Sequence, residues 1–376
     1  MKKHLIAAAV AAAVAAPVFA QSSVTVYGRL DAGYRDVENK VAGVKTNTTT
    51  GPTTSGIGYS AFTTSRLGIT GTEDLGGGLK ASFTVEGNIA ANPGTTGSNN
   101  ATAFNFGRHQ FLTISGGFGT ILAGKTDSMV KAVFDSFDAG YSNNLTGAFD
   151  SFTNGANGAS TGGSGIVGNR RDTTIRYTSP AFSGVNVSVG IMDSSAESDT
   201  ADSKTEDNNG YELGLRYSAG PLALSAAYRD TESKSPTVGV VAAVPGNAGT
   251  AAAARTNTEA QTIALGASYN LGAAIVYGQY FDQTDKNKIA GTETDFDAFA
   301  IGVRVPMGAS TLFASYTDGE FKNGATKTDQ KGYQLGIKHD LSKRTYGYVA
   351  YGDREEKTGA TKNETKDFAI GIAHHF

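Results

Sequence analysis

The sequence of 376 residues contains no cysteine and no tryptophan, and only 8 prolines. Without cysteine there is no disulfide framework and no thiolate metal site. Beyond residue 20, no apolar run approaches the roughly 18 residues that a membrane-spanning helix needs. The basic residues form no polybasic patch, so nucleic acid is not an expected partner. These absences exclude a disulfide-stapled domain, a helical membrane protein and a nucleic-acid-binding domain.

The first part of the chain is an export segment. Two lysines precede a long apolar run, and the segment closes on the small residue Ala20. This pattern is typical of a signal peptide, and the apolar run is shorter than the roughly 20 residues of a membrane anchor. We therefore predict a signal peptide over residues 1–20 and a mature chain over residues 21–376. Removing the two lysines from 32 basic residues leaves 30 against 35 acidic ones, a mature net charge of about −5.

The remaining composition favours strands joined by turns, with 49 Gly, 16 Tyr and 19 Phe. Over residues 24–34, and again over residues 79–87, alternate positions are apolar and the positions between them are largely polar or charged. A period of two residues with a polar opposite face predicts half-buried strands. The alternation alone does not determine which face points inward.

Sixteen such strands can be placed along the mature chain. They lie near residues 23–35, 58–71, 78–90, 104–116, 118–126, 170–179, 184–193, 209–219, 221–231, 258–270, 272–284, 294–304, 309–319, 330–340, 344–355 and 365–376. Short connections alternate with long ones at 36–57, 127–169, 194–208, 232–257, 285–293, 320–329 and 356–364. This alternation, with an even number of strands, is the pattern of a transmembrane β-barrel. A closed barrel leaves no backbone group unpaired in lipid and exposes no sheet edge.

The C-terminus ends within a strand. The last residue is Phe376, and Phe368, Ile370 and Ile372 share its face. A strand that stops in this way needs a hydrogen-bonding partner, and we expect the first strand to be that partner. Because tryptophan is absent, tyrosine and phenylalanine must form any aromatic girdle at the membrane interfaces.

The longest connection covers residues 126–169. Connections of this length within a compact protein are usually either functional or disordered. Its first half contains apolar anchors such as Val130 and Phe134, whereas residues 153–168 have the composition of a flexible tether. Two interpretations remain open at this point. The connection is either a loose surface loop or a loop folded into the cavity that the strands enclose.

Several segments resemble a known family. SSVTVYGRLDAGY, GRHQFLTISGGFGTILAGK, RRDTTIRYTSPAFSG and the terminal AIGIAHHF are similar to the general diffusion porins of Gram-negative bacteria, especially the β-proteobacterial branch. The resemblance covers the mature chain, and its most specific motif is SRLGITGTEDLGGGL at Ser65–Leu79. It implies an all-β fold, a 16-stranded antiparallel transmembrane β-barrel that assembles as a homotrimer in the outer membrane. It also implies that the third external loop, here residues 126–169, folds inward and narrows the lumen.

The same resemblance implies partners and site residues. It implies contact with outer-membrane lipid and lipopolysaccharide, and it makes Phe376 the signal for the outer-membrane assembly machinery. The arginines that match the basic side of the porin constriction are Arg29, Arg66, Arg108 and Arg170. Alternation supports Arg29 and Arg66, which fall on polar faces, but it places Arg108 with Leu112 and Ile114.

Acidic residues of the folded loop are expected to oppose these arginines. The candidates on the loop side are Asp127, Asp135 and Asp138, with Lys131 among them. The PEFGG motif of enterobacterial porins is missing, so the sequence does not show which acid faces the pore. Lys131 makes the loop side less acidic.

A passive pore needs a narrow polar zone whose charges select solutes, and it needs no nucleophile, metal or cofactor. We therefore expect a diffusion channel for small hydrophilic solutes and ions, with a modest anion preference that the four arginines confer. One alternative is a substrate-specific channel with a saturable site. Another is an outer-membrane barrel enzyme, which would need a clustered catalytic set. The mature chain offers only four histidines, in no motif with serine or aspartate, and adjacent His374 and His375 are a poor metal pair.

Overall fold

A computed structural model of the chain describes residues 23–46, 56–89, 104–149, 170–193, 196–198, 203–235 and 256–376. The predicted signal peptide over residues 1–20 and the predicted tether over residues 153–168 lie outside the described residues. Within the described ranges, no helix combines the length and the apolarity needed to cross a membrane.

Sixteen antiparallel strands make up the fold. They are β1 (Ser23–Val41), β2 (Arg66–Gly76), β3 (Leu79–Ile89), β4 (Phe104–Gly116), β5 (Gly119–Asp127), β6 (Arg170–Thr178), β7 (Val185–Asp193), β8 (Ser203–Ala219), β9 (Leu222–Ser235), β10 (Thr256–Asn270), β11 (Ile275–Asn287), β12 (Thr292–Met307), β13 (Ser310–Asn323), β14 (Thr326–Asp340), β15 (Thr345–Thr358) and β16 (Thr361–His375). A helix, α1 (Met129–Phe137), follows β5. Short strands at Val44–Thr46, Gly56–Tyr59 and Ala196–Ser198 add to the sheet.

The sheet closes into a barrel because each strand pairs with the next and the last pairs with the first. Across the closing seam, Arg29 pairs with His375. The chain end adds one more step to the ladder, since Phe376 and Gly28 exchange two backbone hydrogen bonds of 3.1 Å. The predicted 16-stranded antiparallel barrel is confirmed, and so is the expectation that the final strand pairs with the first.

The barrel carries its apolar side chains on the outside. On β1, Val24 and Val26 are 66% and 58% exposed, whereas Asp31 on the opposite face is fully buried. The same inversion recurs around the barrel, where buried polar residues include Arg229 and Gln334. A soluble barrel would bury the apolar face instead. The arrangement is that of a barrel surrounded by lipid.

Tyrosines mark one edge of this apolar band. Tyr228, Tyr280, Tyr316 and Tyr351 lie on outward faces of their strands. Each hydroxyl donates a hydrogen bond of between 2.8 and 3.4 Å to the aspartate two residues further along. An aromatic ring beside a carboxylate suits the boundary between hydrocarbon and headgroups. The tyrosines therefore occupy the positions expected of an aromatic girdle.

Three predicted long connections are short turns. The strands that flank the predicted loops 285–293, 320–329 and 356–364 continue almost to their tips. Each turn contains a glycine with positive φ, at Gly291, Gly324 and Gly359, a conformation that glycine adopts without steric cost. Beyond the apolar band both faces of a strand are polar, so the alternation fades although the hydrogen-bonded ladder continues. The prediction of long loops at these three positions is wrong for this reason.

Apolar packing also occurs inside the barrel, on one side. One cluster joins α1 to inward residues of β9–β13, among them Ala227, Phe281 and Phe321. A second cluster near the closing seam includes Phe62, Leu145 and Tyr348. The interior is therefore covered by packed side chains along β9–β16. The inner face of β1–β6 carries the charged residues described next.

Candidate functional site

Helix α1 begins where β5 ends. Ser128 caps the helix, and its hydroxyl accepts a hydrogen bond of 3.1 Å from the Lys131 N–H. This bond satisfies one of the N–H groups that a helix start leaves open. Apolar residues at positions 130, 133, 134 and 137 follow helical spacing and form one buried face. The helix ends before Asp138, whose N–H still donates to the Phe134 carbonyl at 3.1 Å.

The buried face of α1 packs on the wall formed by β8–β11. Phe134 contacts Phe281 and Phe149 edge-on, with ring centroids 5.6 and 5.0 Å apart. Phe137 lies on Gly266 of β10, where an added Cβ would overlap the Phe137 ring. Because Gly266 has no side chain, the helix lies directly against the strand backbone. The position of α1 is therefore set by the shape of this wall.

A buried carboxylate fixes the first residue of α1. Glu212 of β8 is fully buried and accepts a hydrogen bond of 2.9 Å from the Met129 N–H. Arg176 of β6 lies 3.4 Å from this carboxylate and donates to the Asp127 carbonyl at 2.8 Å. Negative charge at a helix N-terminus is stabilising. These contacts fix the direction in which the chain leaves β5.

The residues after α1 are held by an arginine that lies between two tyrosines. Arg304 of β12 donates to the carbonyls of Asp138 and Ala139 at 2.5 and 2.8 Å. Its guanidinium carbon is 3.6 Å from the ring centroid of Tyr141 and 4.9 Å from that of Tyr277. Such cation–π contacts stabilise by roughly 0.5–2 kcal/mol each. Arg304 therefore ties the end of the helix to the barrel wall.

A buried ion pair, which we call the loop anchor, holds the next part of the segment. Arg35 of β1 pairs with Asp367 of β16, and their side chains are 9% and 0% exposed. Arg35 also donates to the Asn144 carbonyl at 2.7 Å, and Asp367 accepts a hydrogen bond of 3.2 Å from the Thr146 N–H. Residues 128–149 therefore lie along the inner face of the strands from β8 through β16 to β1.

The four predicted arginines lie on the inner face of β1–β6. Arg29 of β1 and Arg66 of β2 are register partners, so two like charges stand directly opposite each other. Like charges in this position destabilise a sheet. Arg29 donates to the Thr64 carbonyl at 3.1 Å. The barrel therefore holds two like charges side by side on its inner face.

The carboxylate of Glu86 lies close to both Arg66 and Arg108. Glu86 of β3 accepts a hydrogen bond of 2.5 Å from Arg108 and one of 3.0 Å from the Tyr27 hydroxyl. It lies 3.6 Å from the guanidinium of Arg66. Arg108 also donates to the Asn88 side chain at 3.1 Å. Glu86 therefore sets the positions of Arg66 and Arg108 relative to each other.

Arg108 departs from strict alternation. Alternation predicts that it shares the outward face of Leu112 and Ile114, but its side chain is 10% exposed and lies on the inner face. The register between β3 and β4 shifts here, so that residues 106–108 of β4 lie opposite the single residue Gly87. A β-bulge of this kind redirects a side chain. The placement of Arg108 by alternation is wrong for this reason.

Arg170 completes the row on β6. It is the register partner of Asp127, and its Nε lies 3.0 Å from the Asp127 carboxylate. The sequence placed Asp127 on the loop side, because the preceding strand was expected to end at residue 126. The structure places Asp127 instead at the end of β5, beside the arginines.

Each of the other loop-side candidates is either buried or ion-paired within the segment. Asp138 is buried, and its carboxylate accepts hydrogen bonds from two following backbone N–H groups and, at 3.2 Å, from Gln334. It therefore has a structural role and does not line the pore. Lys131 and Asp135 form an ion pair of 2.9 Å one turn apart on α1. The charges of the helix cancel within this pair.

We define the basic wall as six neighbouring charged residues of β1–β6, which are Arg29, Arg66, Arg108, Arg170, Glu86 and Asp127. Asp31 of β1 is also on the inner face, but it accepts hydrogen bonds from Thr63 and Tyr348 and is not counted in the wall. The four guanidiniums and two carboxylates of the wall leave two positive charges. The four arginines predicted from the sequence lie on neighbouring strands of the barrel. The residues that position them or the segment after β5 were not predicted, and these are Arg35, Glu86, Arg176, Glu212, Arg304 and Asp367. Each is a charged residue in a barrel strand. The alternation of its strand, which places it on the inward face, is the sequence feature that could have identified it.

The chain is similar to proteins of known family and known structure. A family model described as Gram-negative porin matches residues 7–359. The chain is 35% identical over 355 residues to outer membrane porin protein 32 of Delftia acidovorans. The alignment covers 93% of this chain and 89% of that relative. It is 33% identical over 220 residues to major outer membrane protein P.IB of Neisseria gonorrhoeae, covering 58% of this chain and 53% of that protein. The fold is similar to that of the anion-selective porin from Comamonas acidovorans, with a TM-score of 0.69 at 30% identity over 94% of this chain and 100% of that one.

Proposed function

The chain belongs to the Gram-negative porin family, and we propose that it is a channel for the passive diffusion of small hydrophilic solutes and ions with a modest preference for anions. Its barrel lies in the outer membrane of a Gram-negative bacterium. A relative of similar structure is described as anion-selective. The charges of this chain support the same preference.

The observation that carries the proposal is the charge of the basic wall. Four guanidiniums face two carboxylates on the wall, and α1 adds one neutral ion pair. Charges further away than the Debye length of about 8 Å at physiological salt are largely screened. Low-dielectric walls focus the field of the charges inside a narrow zone. The local excess of positive charge therefore outweighs the negative charge of the mature chain.

The same proposal assigns residues 126–169 as the loop that folds inward and narrows the channel. The contacts of residues 128–149 with the inner faces of β8–β16 and β1 support this assignment. Residues 150–169 lie outside the described part of the chain. A loop in this position would bring permeating ions close to the basic wall.

Single-channel recording in planar bilayers tests the function directly. We expect a conductance that increases linearly with salt concentration and shows no saturation, because a diffusion channel has no tight binding site. Saturation, or block by one solute at low concentration, would instead identify a substrate-specific channel. Hydrolytic activity without conductance would instead identify a barrel enzyme. The relatives, which are porins, favour the channel.

For the assembly we propose a homotrimer that uses the outward faces of β2–β5. These four consecutive strands contain no tyrosine, whereas tyrosines mark the membrane boundary on β8–β11 and β13–β15. Apolar residues such as Leu112 and Ile121 are nevertheless exposed there. An apolar face without interfacial tyrosines suits contact with neighbouring subunits rather than with lipid headgroups. Contact of the remaining faces with lipid and lipopolysaccharide is part of the same proposal.

We expect the variant Phe376→Ala to reduce the amount of folded barrel in the outer membrane several-fold. Phe376 closes the seam through its backbone bonds to Gly28, and the proposal makes its ring the signal for the assembly machinery. The matched control is Phe368→Ala, which removes another outward aromatic side chain from β16. Unheated and heated gels of outer-membrane fractions measure the folded, oligomeric species. Equal losses in the two variants would contradict a special role for Phe376.

A further inference from the structure

A histidine lies between the two ion pairs of the basic wall. The Nε2 atom of His109 is 3.9 Å from the Glu86 carboxylate and 3.7 Å from the Asp127 carboxylate. Its ring packs edge-on against Phe111, with centroids 5.9 Å apart. The side chain is 17% exposed. His109 is therefore held at the centre of the charged row, on the inner face of β4.

The carboxylates of Glu86 and Asp127 each form an ion pair with an arginine, independently of His109. Glu86 binds Arg108 at 2.5 Å, and Asp127 binds Arg170 at 3.0 Å. A proton on His109 therefore adds to the net charge of the basic wall, which changes from two positive charges to three. Histidine is the side chain whose unperturbed charge changes between about pH 5 and pH 8.

The groups that act on His109 come from every neighbouring element. They are Glu86 from β3, Arg108 from β4, Asp127 from β5 and Arg170 from β6. Arg66 and the Tyr27 hydroxyl contact the same Glu86 carboxylate. On α1, Asp135 pairs with Lys131 and acts on Arg170. Burial of the ring and the guanidiniums oppose the protonated imidazole, and the two carboxylates favour it. Ordinary carboxyl groups titrate near pH 4. Between pH 5 and pH 8, a change in the charge of the wall therefore points to His109.

We propose that His109 is a specificity-determining residue of the channel, and that its protonation strengthens the anion preference as the pH falls. This inference rests on the proposed diffusion function. One additional charge within a Debye length of the ion path changes the ratio of anion to cation permeability by roughly two-fold. The ratio is expected to be largest at pH 5 and to fall as the pH rises to 8.

The experiment is the reversal potential under a potassium chloride gradient, measured at steps from pH 5 to pH 8. The unmodified channel is compared with His109→Gln, His375→Gln and His339→Gln. His375 is the register partner of Arg29, and His339 bonds to Ser310 near a turn. We expect the pH dependence to disappear in His109→Gln and to persist in the other two variants.

Three results would overturn the inference. The first is a permeability ratio of the unmodified channel that stays constant from pH 8 to pH 5. The second is a pH dependence that survives in His109→Gln. The third is a pH dependence that disappears in His375→Gln instead. The first needs no variant, so the test does not depend on the folding of His109→Gln. A channel that prefers cations at every pH would contradict the proposed function itself, so the two failures are distinguishable.

Discussion

Replacing Arg66 and Arg170 together with alanine is expected to abolish the anion preference of the channel. The basic wall then changes from two net positive charges to none, because the arginines that remain, Arg29 and Arg108, balance the carboxylates of Glu86 and Asp127. Two charges within a Debye length of the ion path alter the ratio of anion to cation permeability by roughly four-fold. The loss of two long side chains also widens the narrow zone, so the single-channel conductance should increase.

The matched control removes two positive charges from the outside of the barrel. Lys322 and Lys327 are 50% and 53% exposed, and both pair with Glu320 beside a turn between strands. The double variant Lys322→Ala/Lys327→Ala has the same net charge as the arginine variant. Solvent screening should leave its reversal potential unchanged. Equal shifts in the two double variants would show that the basic wall has no special role.

Replacing Asp367 with alanine is expected to release the segment that follows α1. Arg35 would remain buried without its counter-ion, and the Thr146 N–H would lose its acceptor. Removing one partner of a buried ion pair typically costs about 3–5 kcal/mol. Single-channel traces of Asp367→Ala should therefore show larger current fluctuations and a higher mean conductance than the unmodified channel.

The double variant Arg35→Met/Asp367→Leu distinguishes loss of the anchor from loss of charge balance. Replacing both partners of a buried ion pair by apolar residues is usually far less harmful than removing one. We therefore expect its current fluctuations to lie between those of the unmodified channel and those of Asp367→Ala. Asp367→Ala channels with unchanged conductance and noise would contradict the assignment of the loop anchor.

Most of the barrel could be predicted because its physical signal is local. A strand in lipid must alternate, and the residues of β1 show this alternation without reference to the rest of the chain. The prediction was weakest where the local signal ends. The predicted strand at 58–71 is in fact the short strand Gly56–Tyr59 followed by a bend, and β2 begins only at Arg66.

The site was harder to predict because its signals are not local. The bulge that turns Arg108 inward depends on the register between two strands, and Arg35 and Asp367 are separated by 332 residues. The burial of Asp138 depends on hydrogen bonds to the backbone after α1. The identities of the four arginines came from the family resemblance, whereas the carboxylates that position them follow only from the structure.

The central claim is that the basic wall determines the ion preference, and the reversal potential of the unmodified channel under a salt gradient at low ionic strength tests it most directly. We predict an anion preference that weakens as the salt concentration rises, because the two excess positive charges of the wall become screened. A clear cation preference at low salt would contradict the account. It would imply that Asp127, Asp135 and their neighbours dominate the field in the narrow zone.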